Sequence, residues 1–305
     1  MNPTTAPLDL GFEFRAMASP CEVRIAGLPA PQAQDLAQQA IQEVQRIEAK
    51  YSRYQADSVV SRLNASAGQG QALPVDEETA HLLGFAEQLF QLSEGLFDIT
   101  SGILRRAWNF QSGQPPTPDR LAALLPLVGW RQVRWSGTHL ELPQAGMELD
   151  FGGFGKEYAA DRAATWLQAQ GVRHGLVNLG GDIRVMGPRL DGSAWQLGIQ
   201  HPRHTGQILA NLPLTEGALA TSGDYERYLV HEGVRHCHIL NPRTGWPVRH
   251  WQSVSVTAPA CLAAGALSTL AMLQGPGALA FLQAQGVGGL LVDSEGRCHT
   301  VSAAL

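Results

Sequence analysis

The sequence has few of the features that mark disulfide-rich, zinc-binding or nucleic-acid-binding proteins. Only 4 of its 305 residues are cysteine, and none belongs to a Cys-x-x-Cys pair. Neither a thiolate zinc site nor a disulfide framework is therefore indicated. Lysine and arginine number 22, against 27 acidic residues, for a formal net charge of −5. Because these basic residues are scattered, the sequence predicts no basic face for nucleic acid.

Long apolar runs and targeting signals are also missing. No stretch approaches about eighteen uninterrupted apolar residues, so the sequence predicts no membrane span. The first residues, MNPTTAPLDLGFEF, have neither the basic nor the apolar region of an export signal. Cys21 lacks the apolar run that precedes a lipoprotein cysteine. We therefore expect a cytoplasmic protein, and its 44% of hydrophobic residues are enough for a large core.

The hydrophobic pattern predicts helices mixed with short strands. Apolar residues recur at helical spacing over residues 31–50, 78–92, 155–168 and 261–273. Short alternating or apolar segments predict strands near residues 133–135, 140–142, 149–151, 177–179 and 289–292. We predict one domain over residues 1–305, with a possible subdomain boundary at the Pro-rich loop near 112–119.

The segment LDFGGFGKEYAAD, residues 149–161, combines a predicted strand end, a glycine turn and a helix start. Free backbone N–H groups and the helix dipole favour an anion at such a place. Lys156 lies in the first helical turn, from which it could reach a phosphate or a flavin carbonyl. Taken alone, the glycines are explained at least as well by a plain tight turn with a solvated lysine.

Two later segments carry further candidate chemistry. VNLGGDI, residues 177–183, ends a strand in paired glycines, which either admit a ligand closely or form a β-hairpin turn. His236 and His238 alternate in a predicted strand and are expected to face one side. One histidine suits acid–base work and two could bind a metal, but no third ligand follows at suitable spacing. A pair at a strand edge is the better interpretation.

Taken in order, the motifs resemble the ApbE family, the FAD:protein FMN transferases, over nearly the whole chain. The matching segments are Met17-Ala18-Ser19, YSRY at 51–54, FDIT at 97–100, WNF at 108–110, LDFGGFGKEYAAD, VNLGGDI, ATSGDYERY at 220–228 and HILNPRTG at 238–245. The resemblance implies an α+β fold of the ApbE type, with mixed sheets and packed helices in two intertwined subdomains. It also implies that FAD and Mg²⁺ bind, and that FMN is transferred to a Ser or Thr hydroxyl of a flavoprotein, releasing AMP.

The resemblance also assigns roles to individual residues. His238 is expected to activate the acceptor hydroxyl, and Lys156 to stabilise charge on the phosphates. The carbonyl of Gly153 and the hydroxyl of Thr269 are expected to contact the metal. The flavin and adenine pockets are expected to be lined by Met17, Tyr54, Phe97, Asp98, Asp150, Lys156 and Ile239.

Two departures from the family pattern bear on catalysis. The family's metal helix reads Ala-Asp-Ala-Leu-x-Thr, and Gly265 stands where the aspartate is expected. Asn241 stands where an aspartate is expected near His238. A weakened metal site follows, and Gly265→Asp is expected to strengthen it because position 265 lies one helical turn from Thr269. The alternatives are a non-catalytic FAD-binding relative that stores or delivers flavin, and an FAD pyrophosphate hydrolase.

Overall fold

Helices occur wherever the apolar residues repeat at helical spacing. The computed structural model describes residues 9–303. The four predicted helices are confirmed within two residues at each end, and residues 9–303 contain three shorter helices as well. The helices are α1 (Ala30–Tyr51), α2 (Val59–Ala65), α3 (Glu77–Leu92), α4 (Pro118–Leu124), α5 (Gly155–Ala169), α6 (Cys261–Gln274) and α7 (Ala278–Ala284).

The strands form one large sheet and three small ones. Eight strands pair in the order β1-β2-β6-β7-β10-β13-β14-β15, and every pairing among them is antiparallel. The strands are β1 (Asp9–Ala16), β2 (Ser19–Ala26), β3 (Leu73–Pro74), β4 (Arg134–Trp135), β5 (His139–Glu141), β6 (His174–Leu179), β7 (Asp182–Gly187), β8 (Trp195–Gln200), β9 (Ile208–Leu214), β10 (Gly217–Gly223), β11 (Tyr228–His231), β12 (Val234–Cys237), β13 (Trp251–Ala258), β14 (Gly288–Asp293) and β15 (Cys298–Val301).

The large sheet buries both of its faces. Side chains of successive strand residues point to opposite faces, and in β6 Val177 packs in the helix-covered core while Leu176 packs against the β8–β9 hairpin. Helices α1, α5 and α6 pack against the sheet on one side. Because α5 and α6 also contact each other, the residues at their facing surfaces are held in fixed positions.

Helix α1 shows how the sequence produces these packed helices. Pro31 lies in the first turn, where a missing N–H costs no hydrogen bond. One stripe of the helix is buried, at Ala33, Ala37, Ala40, Ile41, Val44, Ile47 and Tyr51. This stripe has the three-and-four spacing of an amphipathic helix, so burial against the sheet stabilises the helix that the pattern predicts.

The predicted strand at residues 149–151 is wrong. The segment forms no strand and pairs with no strand between residues 9 and 303. The amide side chain of Asn64 satisfies both polar groups of Leu149, accepting from its N–H at 2.7 Å and donating to its carbonyl at 3.0 Å. The N–H of Asp150 donates to the carbonyl of Ile99 at 2.9 Å. These bonds take the place of the backbone hydrogen bonds to a neighbouring strand. The local alternation of apolar residues cannot predict them, because Asn64 belongs to the distant helix α2.

Two tight turns lie side by side at one end of the sheet. Gly180 and Gly181 have φ values of +61° and +95° and connect β6 to β7, which confirms the hairpin interpretation of the paired glycines. Met17 and Ala18 connect β1 to β2 with φ values of +51° and +59°, a backbone conformation that residues other than glycine rarely adopt. A Cβ at Gly180 would lie 2.7 Å from the Cβ of Ser19, so the turns approach closely.

The Pro-rich loop does not separate two hydrophobic cores. The main core cluster contains Val44 and Phe97 from before this loop and Leu167 and Leu270 from after it. One segment, Cys261–Ala284, is apolar and long enough to cross a membrane by length and composition alone. In the structure it forms α6 and α7, and α6 packs against β10 and β13. The segment is therefore only weak evidence for a membrane span.

Candidate functional site

A cleft of about 470 Å³ brings most of the predicted site residues together. Its volume is in the range of small-molecule sites. The lining includes nine residues that the resemblance assigns to cofactor, metal or catalysis, namely Tyr54, Phe97, Asp98, Asp150, Gly153, Lys156, His238, Ile239 and Thr269. They come from loops and element ends far apart in the sequence, and the antiparallel sheet with α5 and α6 places them around one opening.

Lys156 lies in the first turn of α5 and points toward the Gly180–Gly181 turn. Its ammonium forms an ion pair with Asp182 at 2.8 Å and donates to the carbonyl of Gly180 at 3.4 Å. Asp182 is only 3% exposed and also accepts from the backbone N–H of Thr221 at 3.1 Å. Burial works against the charge on Lys156, but Asp182 outweighs it and raises the pKa of the lysine. Lys156 therefore presents a permanent positive charge to the cleft.

Glu157, the next residue of α5, fills the space beside Gly265. A Cβ added at Gly265 would lie 2.5 Å from Cγ and from Oε1 of Glu157. Burial and the neighbouring charge of Asp182 raise the pKa of Glu157. An aspartate at position 265 could enter only if Glu157 moved away. The effect of Gly265→Asp alone therefore depends on whether Glu157 can move aside, and the expectation that it strengthens the site stays a prediction.

Hydroxyl groups lie along the part of the cleft formed by α6 and β10. The hydroxyl of Ser222 is 2.9 Å from that of Thr269 and 2.8 Å from that of Ser268. Thr221, Ser222 and Thr269 line the cleft together with Glu157 and Asp182.

Hard oxygen donors of this kind suit Mg²⁺, which usually takes one or two carboxylates together with substrate phosphates. No group of three or more His, Cys, Asp or Glu side chains that could hold a metal occurs between residues 9 and 303. A cation here would therefore need oxygens from its substrate as well. The buried carboxylate of Glu157, whose Oε2 has no hydrogen-bond donor in this range, fits such a cation.

His238 follows the end of β12 and faces the cleft. Its backbone N–H donates to the carbonyl of Arg227 at 2.9 Å, which fixes the chain at this point. His238 as a whole is an exposed residue. Its pKa is nevertheless lowered to about 4, first by desolvation of the imidazolium and then by the charge of Arg227. A neutral imidazole at physiological pH can accept a proton.

The expected pairing of His236 with His238 is wrong. Strand β12 ends at Cys237, so the alternation does not continue to His238. His236 is buried against Trp108 and Trp246, at ring-centroid distances of 5.5 and 6.0 Å, and is not among the residues that line the cleft. The strand-edge pair that the sequence favoured is therefore not formed, because only His238 lines the cleft.

The carboxylates of two residues of the expected flavin pocket, Asp98 and Asp150, form hydrogen bonds or ion pairs with other residues of the protein. Asp98 accepts from the N–H and hydroxyl of Thr100 at 2.8 and 2.6 Å and from the N–H of Trp130 at 2.9 Å. Asp150 forms ion pairs with Arg53 and Arg105. Both carboxylates hold the cleft wall in shape, and Arg53 and Arg105 add positive charge to the lining.

Apolar surface is available beside these charges. Tyr54 is 75% exposed, and the guanidinium carbon of Arg53 lies 4.9 Å from the centroid of its ring. Phe97 and Ile239 are buried side chains at the cleft wall, and a Cβ at Gly153 would lie 3.0 Å from the ring of Phe97. A flat aromatic ligand can be covered by such groups, since aromatic rings combine apolar faces with polar edges.

Met17 is the one predicted site residue that does not line the cleft. Its side chain packs against the main core cluster, and its N–H donates to Glu48 at 2.7 Å. It belongs to the β1–β2 turn, next to the Gly180 carbonyl that Lys156 contacts. The structure thus places Met17 near the cleft, and a role in flavin binding stays a prediction.

Asn241, expected near His238 as a weak replacement for aspartate, stabilises the turn that it belongs to. Its side-chain oxygen accepts from the N–H of Arg243 at 2.9 Å, and its carbonyl accepts from Gly245 at 2.8 Å. The indole of Trp108 donates to the carbonyl of Gly245 at 2.8 Å. This turn thereby connects the segment after His238 to the opposite wall of the cleft.

Sequence reasoning missed Glu157, Asp182 and Ser222 as site residues. Each belongs to a motif that was recognised, but only the three-dimensional packing shows which side chain enters the cleft. One signal was present for Glu157, because a glycine within a packed helix leaves a space that a neighbouring side chain must fill. Nothing in the local sequence identifies that neighbour.

A second hollow, of about 420 Å³, lies between α1, α3 and α5. Its charged groups bind one another, since Arg46 pairs with Glu43 and Glu78, and Tyr158 donates to Glu78 at 2.8 Å. Arg162 also pairs with Glu43. A network that satisfies its own charges is a poor ligand site, so the chemistry is assigned to the first cleft.

Comparison with known proteins identifies the family of this chain. The model of the ApbE family matches residues 17–291. The FAD:protein FMN transferase of Haemophilus influenzae is 31% identical over 237 residues, which cover 73% of this chain and 68% of that protein. The FAD:protein FMN transferase of Rhodobacter capsulatus is 33% identical over 259 residues, covering 83% of this chain but 49% of that longer protein.

Solved structures agree as well. The ApbE protein of Thermotoga maritima superimposes with a TM-score of 0.88 at 29% identity, covering 96% of both chains. The flavin transferase ApbE of Vibrio cholerae superimposes with a TM-score of 0.87 at 25% identity, covering 98% of both chains. The predicted α+β fold of the ApbE type is confirmed. The chain belongs to the ApbE family.

Proposed function

We propose that this protein is an FAD:protein FMN transferase, which moves the FMN part of FAD to a Ser or Thr hydroxyl of a flavoprotein and releases AMP. One observation carries the proposal. Lys156, His238 and Thr269, the residues expected to act on the phosphates, acceptor and metal, all line one cleft of suitable volume. Family membership and the curated relatives named above support the same reaction.

The residues of the cleft supply the functions that the reaction needs. The acceptor oxygen forms a bond to the FMN phosphorus, the bond from that phosphorus to the bridging oxygen breaks, and the hydroxyl proton goes to a base. His238 is neutral at physiological pH, because its pKa lies at about 4, and can take this proton. Lys156 stays charged beside Asp182 and stabilises negative charge on the phosphates.

Magnesium is part of this proposal. A bound Mg²⁺ would neutralise charge on the pyrophosphate of FAD, as divalent ions do in phosphoryl transfer. Thr269 and Ser222 offer hydroxyl oxygens and Glu157 a carboxylate at the same wall of the cleft. The carbonyl of Gly153, at the start of α5, is the further expected ligand.

The direct test is incubation with FAD, Mg²⁺ and a flavoprotein acceptor, followed by in-gel fluorescence and mass spectrometry of the acceptor. Covalent FMN on a Ser or Thr, with equimolar AMP, is the expected result. Free FMN and AMP in the absence of acceptor modification would identify a pyrophosphate hydrolase. FAD that stays bound and intact would identify a non-catalytic flavin-binding protein.

His238→Ala is expected to abolish transfer while FAD still binds, because a proton acceptor acts in the transition state. His81→Ala, at an exposed histidine of α3, is the matched control and should leave transfer unchanged. Transfer by His238→Ala at the parent rate would mean that His238 does not act as the base.

A further inference from the structure

Helices α5 and α6 pack against each other. At their contact, α6 has a glycine, Gly265, and α5 has a carboxylate side chain, that of Glu157. Gly265 of α6 has no side chain, and the side chain of Glu157 from α5 reaches into the place that one would take. The virtual Cβ of Gly265 lies 2.5 Å from Cγ, 2.5 Å from Oε1 and 2.7 Å from Cδ of Glu157. A side chain at 265 and the present conformation of Glu157 therefore exclude each other.

The carboxylate that occupies this place lacks a full set of partners. Glu157 is 8% exposed, and its buried Oε2 accepts no hydrogen bond from residues 9–303. The nearest cation of the cleft, Lys156, is paired with Asp182 at 2.8 Å, and no ion pair joins it to Glu157 within this part of the chain. A cation bound in the cleft would give Oε2 the partner that these residues do not supply.

The surroundings of Glu157 indicate which kind of ligand this is. Thr269 lies one helical turn beyond Gly265, so its hydroxyl faces the same wall. Ser222 places a second hydroxyl 2.9 Å from that of Thr269. Glu157, Ser222 and Thr269 all line the cleft. A carboxylate with two hydroxyls is a hard oxygen set, which prefers a divalent cation such as Mg²⁺ or Mn²⁺.

We propose that Glu157, reaching from α5 into the space left by Gly265, is the carboxylate ligand of the divalent cation that accompanies FAD. The inference rests on the proposed FMN transfer. It adds that the carboxylate ligand of the metal in this chain is Glu157 and not a residue at position 265. The acidic ligand is supplied by one helix instead of its neighbour, so the absence of an aspartate at 265 does not leave the cation without a carboxylate.

The test measures metal binding separately from activity. Mn²⁺ is titrated into the FAD-loaded protein, and binding is followed by calorimetry and by the loss of the free Mn²⁺ signal in electron paramagnetic resonance. Glu157→Gln keeps the shape of the side chain and removes its charge, and is expected to weaken Mn²⁺ binding at least about tenfold. Glu226→Gln removes an exposed carboxylate from the same cleft and should leave the affinity unchanged.

A reciprocal exchange tests the geometry. Glu157→Ala together with Gly265→Asp moves the carboxylate from α5 to α6 and is expected to recover most of the Mn²⁺ affinity that Glu157→Ala loses. Gly265→Asp alone brings the two side chains into collision and is expected to lower the melting temperature without raising the affinity. The two substitutions are thus expected to be strongly non-additive, as they are for residues in contact.

The outcomes separate this inference from the proposed function. Unchanged Mn²⁺ affinity in Glu157→Gln, with FAD still bound and transferred, would overturn the inference and leave FMN transfer in place. Failure of the reciprocal exchange to recover binding, while the variant stays folded and binds FAD, would also count against it. If the parent protein binds no FAD, both the inference and the proposed function are wrong.

Discussion

The two titratable residues assigned to the reaction have opposite charge states, and their surroundings explain the difference. Lys156 has a buried anion, Asp182, at 2.8 Å and therefore stays protonated. At His238, desolvation and the charge of Arg227 lower the pKa and keep the imidazole neutral. One residue of the cleft thus provides a fixed positive charge and the other a proton acceptor, as phosphoryl transfer to a hydroxyl requires.

The pH dependence of transfer follows from the pKa of His238. This pKa lies at about 4 in the folded protein, below the ordinary value of 6.5. The neutral base therefore persists as the pH falls through 6.5, and the rate of FMN transfer is expected to stay level between about pH 5.5 and 8. Single-turnover transfer rates measured across this range check the prediction. A rate that falls by half near pH 6.5 would show that the base has an ordinary pKa.

The lowered pKa of His238 also makes the free energy of unfolding depend on pH. Below pH 6.5 the unfolded chain protonates His238, whereas the folded chain does not until the pH approaches about 4. The unfolded state then binds more protons, so this residue lowers the free energy of unfolding as the pH falls through that window. His238→Ala is expected to remove this part of the pH dependence, which urea unfolding at several pH values would detect.

Lys156 is expected to stabilise the fold as well as the phosphates. Replacing it by Met leaves the charge of Asp182, which is 3% exposed, without its ion-pair partner. Loss of one member of a buried pair costs about 3–5 kcal/mol, and we expect the lower end because the lysine is partly exposed. The double variant Lys156→Met/Asp182→Asn should recover much of this loss in urea unfolding. Equal stability of the two variants would indicate that Asp182 is already solvated.

At the scale of elements, the site depends on how α5 holds the start of α6. No residue of α6 itself caps its N-terminus. Asp161 of α5 does so instead, accepting from the N–H of Cys261 at 2.9 Å and from that of Leu262 at 2.8 Å. Two backbone donors that a helix start leaves free are thereby satisfied by another helix. This contact fixes the relative positions of Glu157 and Thr269.

Asp161→Ala is expected to lower the free energy of unfolding by about 2 kcal/mol, since it removes both cap bonds and their favourable charge at the helix N-terminus. Asp161→Asn keeps one acceptor oxygen and should lose about half as much. Urea unfolding of the three proteins provides the measurement. A loss below about 0.5 kcal/mol in Asp161→Ala would mean that water caps α6 equally well.

The elements also show what sequence can and cannot predict. Helix α1 was predicted within two residues because its buried stripe repeats at helical spacing, and the Gly180–Gly181 hairpin because positive φ values favour glycine. The segment 149–151 resembles the end of a strand because its apolar residues, Leu149 and Phe151, alternate with Asp150 and run into a glycine-rich turn. Its hydrogen bonds go to Asn64 and Ile99, which are distant in sequence. Asp161, which caps α6, and Glu157, which fills the space beside Gly265, likewise contact residues that are distant in sequence.

At the scale of the whole molecule, the cleft lies where separate parts of the chain meet. One wall comes from residues 53–54, 96–110 and 150–153, and the other from residues 156–157, 182, 221–227, 238–240 and 269–273. Trp108 connects the walls by donating to Gly245. A ligand that contacts both walls binds the folded chain and has no comparable site in the unfolded one. Its binding must therefore stabilise the whole fold.

FAD is accordingly expected to raise the melting temperature. At a concentration one hundred times the dissociation constant, a ligand adds about 2.7 kcal/mol to the free energy of unfolding. For a chain of this size, each kcal/mol corresponds to about 2 °C or slightly more, so the expected increase is roughly 5 °C. Differential scanning calorimetry with increasing FAD measures it, with AMP alone and FMN alone as controls. Each of these fragments should give a smaller increase than FAD, because each can contact only part of the cleft. An unchanged melting temperature at millimolar FAD would exclude the cleft as a flavin site.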